Sequence, residues 1–137
     1  MTAKEYLKQI VFLDCKIEEK KARVRELKEG AEKRTSNLSP DKVQTSGAKD
    51  KLGNAVCSYV ALEAEIEDDK RKRDKIIASI NLLPPFEATV LYKCYVSYKS
   101  LKEISRDMNK SYSWVAKTHS SGLLSMSQLI NEGKVKV

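Results

Sequence analysis

Residues 100–124 read SLKEISRDMNKSYSWVAKTHSSGLL and decide the organisation of the C-terminal third of the chain. Ser100 followed by Glu103 has the spacing of a capping box, which opens a helix by satisfying free backbone amides at its first turn. Asn109 stands where a tight turn requires a residue that tolerates a left-handed backbone. Ser111 or Ser113 then caps a second helix. The stretch therefore predicts two helices joined by a tight turn.

The apolar residues of this stretch predict how the two helices pack. In the first helix Leu101, Ile104 and Met108 share one face, and Ser105 is the small residue where the second helix approaches closely. In the second helix the inward positions are Val115, then Thr118 or His119, and then Leu123. This arrangement is the helix-turn-helix, in which the start of the second helix enters the major groove of DNA.

Exposed residues on this motif are the candidates for contact with DNA. Ser111 and the first turns of the second helix face the bases. The residues placed to neutralise phosphates are Lys102, Arg106, Lys110 and Lys117. Two alternatives remain open: the large aromatic residues pack on the preceding helices, and His119 is an ordinary helix residue rather than a ligand or a base. The candidates on the second helix are Tyr112, Ser113, Trp114, Lys117, Thr118 and Ser121.

The N-terminal part of the chain, residues 1–83, predicts two long helices. Thr2 and Glu5 have capping-box spacing at the start of the first, and the loop over 35–47 is rich in residues that form local hydrogen bonds. The second helix resumes near Ala48, or at Ser46 if that residue caps it. Apolar residues alternate three and four apart, which is the narrow stripe of a coiled coil. The residues of this stripe predicted to mediate oligomerisation are Tyr6, Ile10, Leu13, Ile17, Val24, Leu27, Leu52, Tyr59, Leu62 and Ile66.

Pairing the two helices about the loop predicts an antiparallel hairpin in which opposite charges meet. It brings Lys20 close to Asp69 and Asp14 close to Arg73, at the positions where charges interrupt the apolar stripes. A two-helix hairpin has a thin core, so we expect self-association into a homodimer or a higher homo-oligomer. Pro84 and Pro85 end the hairpin, and residues 84–137 form a second domain of three to four helices. The predicted fold class is all-α.

Charge and composition restrict the classes of function. The net charge is +7, and residues 84–137 hold 8 Lys and Arg against 4 Asp and Glu, which favours an acidic partner such as double-stranded DNA. Cys15, Cys57 and Cys94 lie far apart and only His119 accompanies them, so we expect no metal site and no cofactor. No phosphate-binding glycine loop and no nucleophile with a base is recognisable, so we expect no enzyme and no catalytic residue. With no apolar run of about 20 residues and no export signal, we expect a cytoplasmic protein without a membrane segment.

Three parts of the chain resemble a family of short phage and prophage proteins. They are the opening MTAKEYL at residues 1–7, the loop SPDKVQTSG at 39–47, and SLKEIS at 100–105 with SYSWV at 111–115. These proteins have a C-terminal domain similar to the fourth region of sigma factors, and they are grouped with phage late-gene transcription regulators of the RinA and ArpU kind. The resemblance covers essentially the whole chain. It implies promoter binding by residues 111–121 in the bacterial host, and contact with RNA polymerase.

The resemblance also shows a departure that affects the expected affinity. The second helix has Lys117 but few other basic residues, where relatives carry several, so a single domain is expected to bind weakly and a dimer to join two such contacts. The expected function is a sequence-specific transcription regulator. The alternative is a coiled-coil adaptor or inhibitor of a host factor, and the salt dependence of DNA binding discriminates between them.

Overall fold

The computed structural model describes residues 1–36 and 46–136, without the side chains of 33–36, 46–52 and 55. These residues contain helices and no strand, so the all-α fold class is confirmed. Of the loop predicted over 35–47, residues 35, 36, 46 and 47 are helical, and 37–45 lie outside the described residues. The helices are α1 (Ala3–Ser36), α2 (Ser46–Ile80), α3 (Pro85–Leu91), a π-helical turn (Tyr92–Val96) that follows α3 directly, α4 (Leu101–Met108) and α5 (Tyr112–Asn131).

Local sequence signals set the ends of the helices around the two prolines and at the N-terminus. Thr2 and Glu5 form the predicted capping box, with Thr2 N–H donating to Glu5 Oε2 at 2.9 Å and Glu5 N–H donating to Thr2 Oγ1 at 3.2 Å. α2 ends at Ile80, before the two prolines. Pro84 is extended (φ −53°, ψ 149°), and Pro85 occupies the first turn of α3, where its missing amide removes no hydrogen bond.

The described chain divides into two compact units, and the division does not coincide with the boundary predicted between residues 83 and 84. The first unit comprises residues 1–14 and 71–137, and the second comprises residues 15–70. The reason lies in the core of the first unit, where Tyr6, Leu7 and Ile10 of α1 are buried in the same cluster as Leu91 and Met126. The first turns of α1 and the last turns of α2 therefore belong to the same packing unit as α3, α4 and α5.

Polar contacts in the first unit join its N-terminal and C-terminal segments. The Tyr6 hydroxyl lies 2.9 Å from Ser79 Oγ in a buried position. Asp14 Oδ1 lies 2.5 Å from Arg73 Nε, which confirms the predicted pairing of these two residues. The other oxygen of Asp14 accepts a hydrogen bond from the hydroxyl of Tyr98. Because Tyr98 has a left-handed backbone (φ 56°), this bond holds an uncommon conformation in the connection before α4.

The second unit has a small apolar core with ion pairs between α1 and α2 beside it. Ile17, Val24 and Ile66 are buried, with Tyr59 and Leu62 packed against them. Lys20 Nζ lies 2.7 Å from Asp69 Oδ2, as the sequence predicted, and 3.5 Å from Glu65 Oε2. Further along α1, Lys28 pairs with Glu63 at 2.8 Å. As the residue number on α1 increases, the residue number of its partner on α2 decreases. The two helices are therefore antiparallel within this unit.

The side chains predicted to mediate oligomerisation lie mostly inside the single chain. Three of them are in the core of the first unit and three are in the core of the second, so a second copy is not required to cover them. Leu27, Tyr59 and Leu62 are half-buried, and the side chain of Leu52 lies outside the described residues. The apolar period correctly marked the buried face, but that face is covered within one molecule. The buried residues are Tyr6, Ile10, Leu13, Ile17, Val24 and Ile66.

Candidate nucleic-acid interface

The start of α4 is fixed by the residues that the sequence predicted. The backbone N–H of Glu103 donates to Ser100 Oγ at 3.3 Å, and the Ser100 hydroxyl lies 3.3 Å from Glu103 Oε1. Ser100 itself is extended (φ −72°, ψ 160°), as an N-cap residue should be. This cap sets where α4 begins, and with it the direction in which Lys102 and Arg106 leave the helix.

The turn between α4 and α5 depends on Asn109. Its backbone is left-handed (φ 53°, ψ 42°), and its N–H points back to the carbonyls of Ser105 and Arg106. The N–H of Lys110 donates to Ser105 O at 3.1 Å, and the Ser105 hydroxyl donates to Lys110 O at 2.5 Å. Backbone amides of the turn therefore pair with the carbonyls of Ser105 and Arg106 near the end of α4. Ser105 has an additional role, because its hydroxyl binds the turn directly.

α5 begins at a cap formed by Ser111. The backbone N–H of Trp114 donates to Ser111 Oγ at 3.0 Å, so Ser111 rather than Ser113 is the capping residue. This leaves Ser113 within the first turn, exposed and free of the capping role. Its side chain is thereby available on the surface of α5.

A small apolar cluster fixes the angle between α4 and α5. Val90, Ile104 and Val115 have no exposed surface, and Leu101, Met108 and Trp114 pack around them. The predicted inward faces of both helices are therefore confirmed at their central positions. The residues of α5 that take no part in this packing lie on its outer side. Spaced at helical intervals on that side, the exposed ones are Ser113, Lys117, Ser120, Ser121, Leu124 and Gln128.

Three exposed residues on the outer side of α5, Ser120, Leu124 and Gln128, were not among the predicted candidates. Ser120 and Leu124 continue the face of Ser113 and Lys117 by seven residues from each. Leu124 is 69% exposed, which is unusual for a leucine in the middle of a long helix. The same helical spacing that identified Lys117 would have identified Ser120 and Leu124 if it had been continued by another two turns.

Trp114 packs against the apolar cluster and is only partly exposed. Its ring meets that of Phe86 edge to face, with centroids 5.5 Å apart and planes at 86°. Lys110 Nζ lies 5.2 Å from the centre of the same ring, a cation–π distance. Tyr112, in contrast, is 54% exposed at the first position of α5. Of the two aromatic candidates, Tyr112 is the one that presents its side chain to solvent.

The hydroxyls of two predicted candidates are already engaged. Thr118 Oγ1 donates to Trp114 O at 2.8 Å within α5. Ser121 Oγ donates to Glu87 Oε1 at 2.5 Å, and Ser125 Oγ donates to Glu87 Oε2 at 2.8 Å, which ties α5 to α3. Both hydroxyl protons of Thr118 and Ser121 are therefore used within the protein, and a contact of either residue with DNA would have to use another part of its side chain. Sequence spacing alone cannot reveal Glu87, because it lies more than 30 residues away along the chain.

The charges around α4 separate into paired and unpaired cations. Lys99 and Lys93 surround Asp107, and the Lys99 hydrogen bond holds the pKa of that carboxyl below its usual range. Lys102 and Arg106, one helical turn apart on α4, are exposed. Among the carboxylates whose side chains the structure describes, none lies within 4 Å of the cation of Lys102, Arg106 or Lys117. These three cations, with Lys110 above Trp114, are free to meet an anionic partner.

A shallow groove runs beside Lys117, between the start of α3 and the outer side of α5. It has a volume of about 400 Å³. Phe86 lines it and is 58% exposed, although nothing in the sequence pattern marked it as a surface residue. The other residues lining the groove are Pro84, Pro85, Glu87, Trp114, Lys117, Thr118 and Ser121.

His119 is a structural residue behind the interface. Its ring is stacked on that of Tyr95, with centroids 5.7 Å apart, and its Nε2 lies 3.0 Å from the Tyr95 hydroxyl. Burial, assisted by the nearby Lys4, lowers the pKa of His119, and burial raises the pKa of Tyr95 to about 12. Both groups are therefore neutral near pH 7. This agrees with the interpretation of His119 as an ordinary helix residue.

The described residues offer little other chemistry. Within them no group of three or more His, Cys, Asp or Glu side chains is placed to hold a metal ion. None of the helices in this part of the chain combines the length and the apolar character needed to cross a membrane. No protein-family model, curated protein or solved structure matches the chain.

Proposed function

We propose that the protein is a sequence-specific transcription regulator that binds double-stranded DNA with the first turns of α5 in the major groove. The observation that carries the proposal is the capped α4–turn–α5 pair, in which the packing leaves Tyr112, Ser113 and Lys117 facing outward. A helix needs an uncovered polar face with at least one long donor to read base edges. The fully buried Ile104 and Val115, which hold the pair together, are separate from these three exposed residues.

The distribution of cations supports a partner with a regular anionic backbone. Lys102 and Arg106 lie on the exposed side of α4, the helix that crosses the backbone in this binding mode. Lys110 stands at the turn, next to the start of α5. Three or four such contacts predict that binding weakens as salt rises, with a slope of log K against log salt of about −3 to −4.

One cation on α5 is few for a promoter reader, and the proposal therefore includes a homodimer or higher homo-oligomer. Two linked domains bind two half-sites with a much higher effective concentration than one domain provides. The resemblance to sigma-like phage regulators adds promoters as the target, RNA polymerase as a second partner and the bacterial cytoplasm as the place of action. These parts of the proposal are supported by the resemblance alone.

The test uses the full chain and a duplex obtained by selection from a random library. Binding is followed by fluorescence anisotropy at several salt concentrations. Lys117→Glu and Ser113→Glu should each weaken binding by about thirtyfold or more, since a good base contact contributes roughly 2 kcal/mol. Lys16→Glu is the matched control, because Lys16 is an exposed lysine of the second unit. It should change affinity by less than about twofold.

Sedimentation of the same variants separates binding from assembly. Lys117→Glu and Ser113→Glu should keep the oligomeric state of the unaltered chain. If the unaltered chain selects no duplex, or binds with an affinity that salt does not change, the DNA proposal fails. The rival function as a protein–protein adaptor or inhibitor would then be the better explanation.

A further inference from the structure

The groove beside Lys117 presents apolar surface together with one free cation. Its walls include Phe86 and Trp114, whose rings meet edge to face and leave the phenyl ring 58% exposed. The hydroxyls within it donate inward: Thr118 to Trp114 O, and Ser121 to Glu87. The two oxygens of Glu87 each accept a hydrogen bond from a serine of α5. Among the described residues lining the groove, Lys117 is the cation, and no described carboxylate is paired with its ammonium.

This chemistry can be compared with the four base edges in the major groove. Thymine presents a 5-methyl group next to the O4 acceptor. Cytosine presents an amino donor, which would face the Lys117 ammonium, and adenine presents an amino donor beside its N7. Guanine presents two acceptors and no apolar group. Of the four bases, only thymine has an apolar group next to an acceptor. The apolar group matches the aromatic walls of the groove, and the acceptor matches the ammonium at its edge.

We infer that this groove is a thymine-reading subsite, an inference that rests on the proposed DNA-binding function. The thymine 5-methyl group lies against Phe86 and Trp114, and its O4 accepts a hydrogen bond from Lys117 Nζ. Phe86 is then a specificity-determining residue contributed by α3, outside the helix that carries the other base contacts. Its exposure is explained, since the ring is uncovered only until DNA is bound.

The groove is held in place before any base arrives. Trp114 is fixed by its place in the Val90, Ile104 and Val115 cluster and by the cation of Lys110 above its ring. Glu87 ties α3 to α5 immediately next to Phe86. A preformed apolar surface loses little side-chain freedom on binding, so most of the gain from the methyl contact is retained.

The experiment removes single methyl groups from the DNA. In the selected duplex each thymine is replaced in turn by deoxyuridine, which lacks the 5-methyl group and keeps the hydrogen-bonding edge. With the full chain, one position per half-site should lose about fourfold in affinity, the change that corresponds to burying one methyl-sized group. With Phe86→Ala, replacement at that position should change affinity by about twofold or less, because only Trp114 then remains against the methyl group. Leu82→Ala is the matched control, since Leu82 is 62% exposed and does not line the groove.

Each outcome bears on the inference. Circular dichroism melting checks that Phe86→Ala is folded, as the exposure of the ring leads us to expect. If a duplex is selected but no deoxyuridine replacement weakens binding, the thymine subsite is overturned while the DNA-binding proposal stands. If Phe86→Ala keeps the full methyl sensitivity, Phe86 is not the reader and the inference is equally overturned. If no duplex is selected at all, the proposed function itself has failed.

Discussion

Gly122 offers the sharpest test of how α3 and α5 are held against each other. It lies in the middle of α5 and is buried. A Cβ atom added there would meet Cδ1 and Cγ of Leu91 at 3.1 Å and Cβ of Glu87 at 3.5 Å. Favourable contacts between carbon atoms lie at about 3.5–4.0 Å, so Leu91 would have to move by several tenths of an ångström. Leu91 has no exposed surface, and the groove residue Phe86 is on the same helix.

Two opposing contributions decide the effect of Gly122→Ala. Alanine is favoured over glycine in a helix interior by about 1 kcal/mol. Inserting an extra carbon into a well-packed core costs roughly 1–3 kcal/mol. With both nearest contacts on a buried side chain, we take the middle of that range and expect the free energy of unfolding to fall by about 1 kcal/mol.

Urea unfolding followed by circular dichroism measures this change, with Gly30→Ala as the control. Gly30 is inside α1, and a Cβ added there meets nothing within 4 Å, so Gly30→Ala should stabilise by about 0.5–1 kcal/mol. In a Leu91→Ala background the obstructing atoms are gone, and Gly122→Ala should become stabilising. If Gly122→Ala stabilises the unaltered chain as much as Gly30→Ala does, the close approach of α3 and α5 described here is wrong.

Two further predictions concern charge. Lys20→Glu should lower the free energy of unfolding by about 2 kcal/mol, because it leaves the buried Asp69 carboxylate without its partner. Asp69→Lys should also lower it, because it places two ammonium groups together, although Lys20 keeps Glu65 at 3.5 Å. The double reversal should restore only part of the loss in urea unfolding, because the new carboxylate at position 20 still faces Glu65. Since burial lowers the folded-state pKa of His119, its contribution to stability should be fully present above pH 6.5 and be lost as pH falls below it. Unfolding from pH 5 to 8 should show this slope in the unaltered chain, and His119→Gln should remove it while keeping a hydrogen-bonding group near Tyr95.

The features predicted correctly from the sequence depend on residues that are close in sequence or on a simple pairing rule. The two capping boxes and the left-handed Asn109 are local, because each involves residues within one turn of one another. The ion pairs of Lys20 with Asp69 and Asp14 with Arg73 are distant in sequence. These pairs could be predicted because, in an antiparallel hairpin, one known pair determines which residues face each other along both helices.

The features that sequence reasoning missed depend on packing between distant segments. The stripe containing Tyr6 and Ile10 shows that one face of α1 is covered, but its period does not identify the covering residues. The contacts of Trp114 with Phe86 and of Ser121 with Glu87 join α5 to the start of α3 across about 30 residues. A helical wheel of α5 places both residues near the boundary of the exposed face, and only the position of α3 determines whether they are covered.

The burial of the apolar stripe bears on how the two proposed activities, self-assembly and DNA binding, are related. If the N-terminal helices served only to join copies, Tyr6 and Ile10 would be uncovered in a single molecule. Instead they complete the core that also contains Leu91 and Met126, so the first turns of α1 support the domain that carries α4 and α5. A homodimer cannot form through these residues unless that core opens. The proposed assembly must therefore use a surface other than this stripe, and sedimentation of the α5 variants tests whether the outer face of α5 takes part in it.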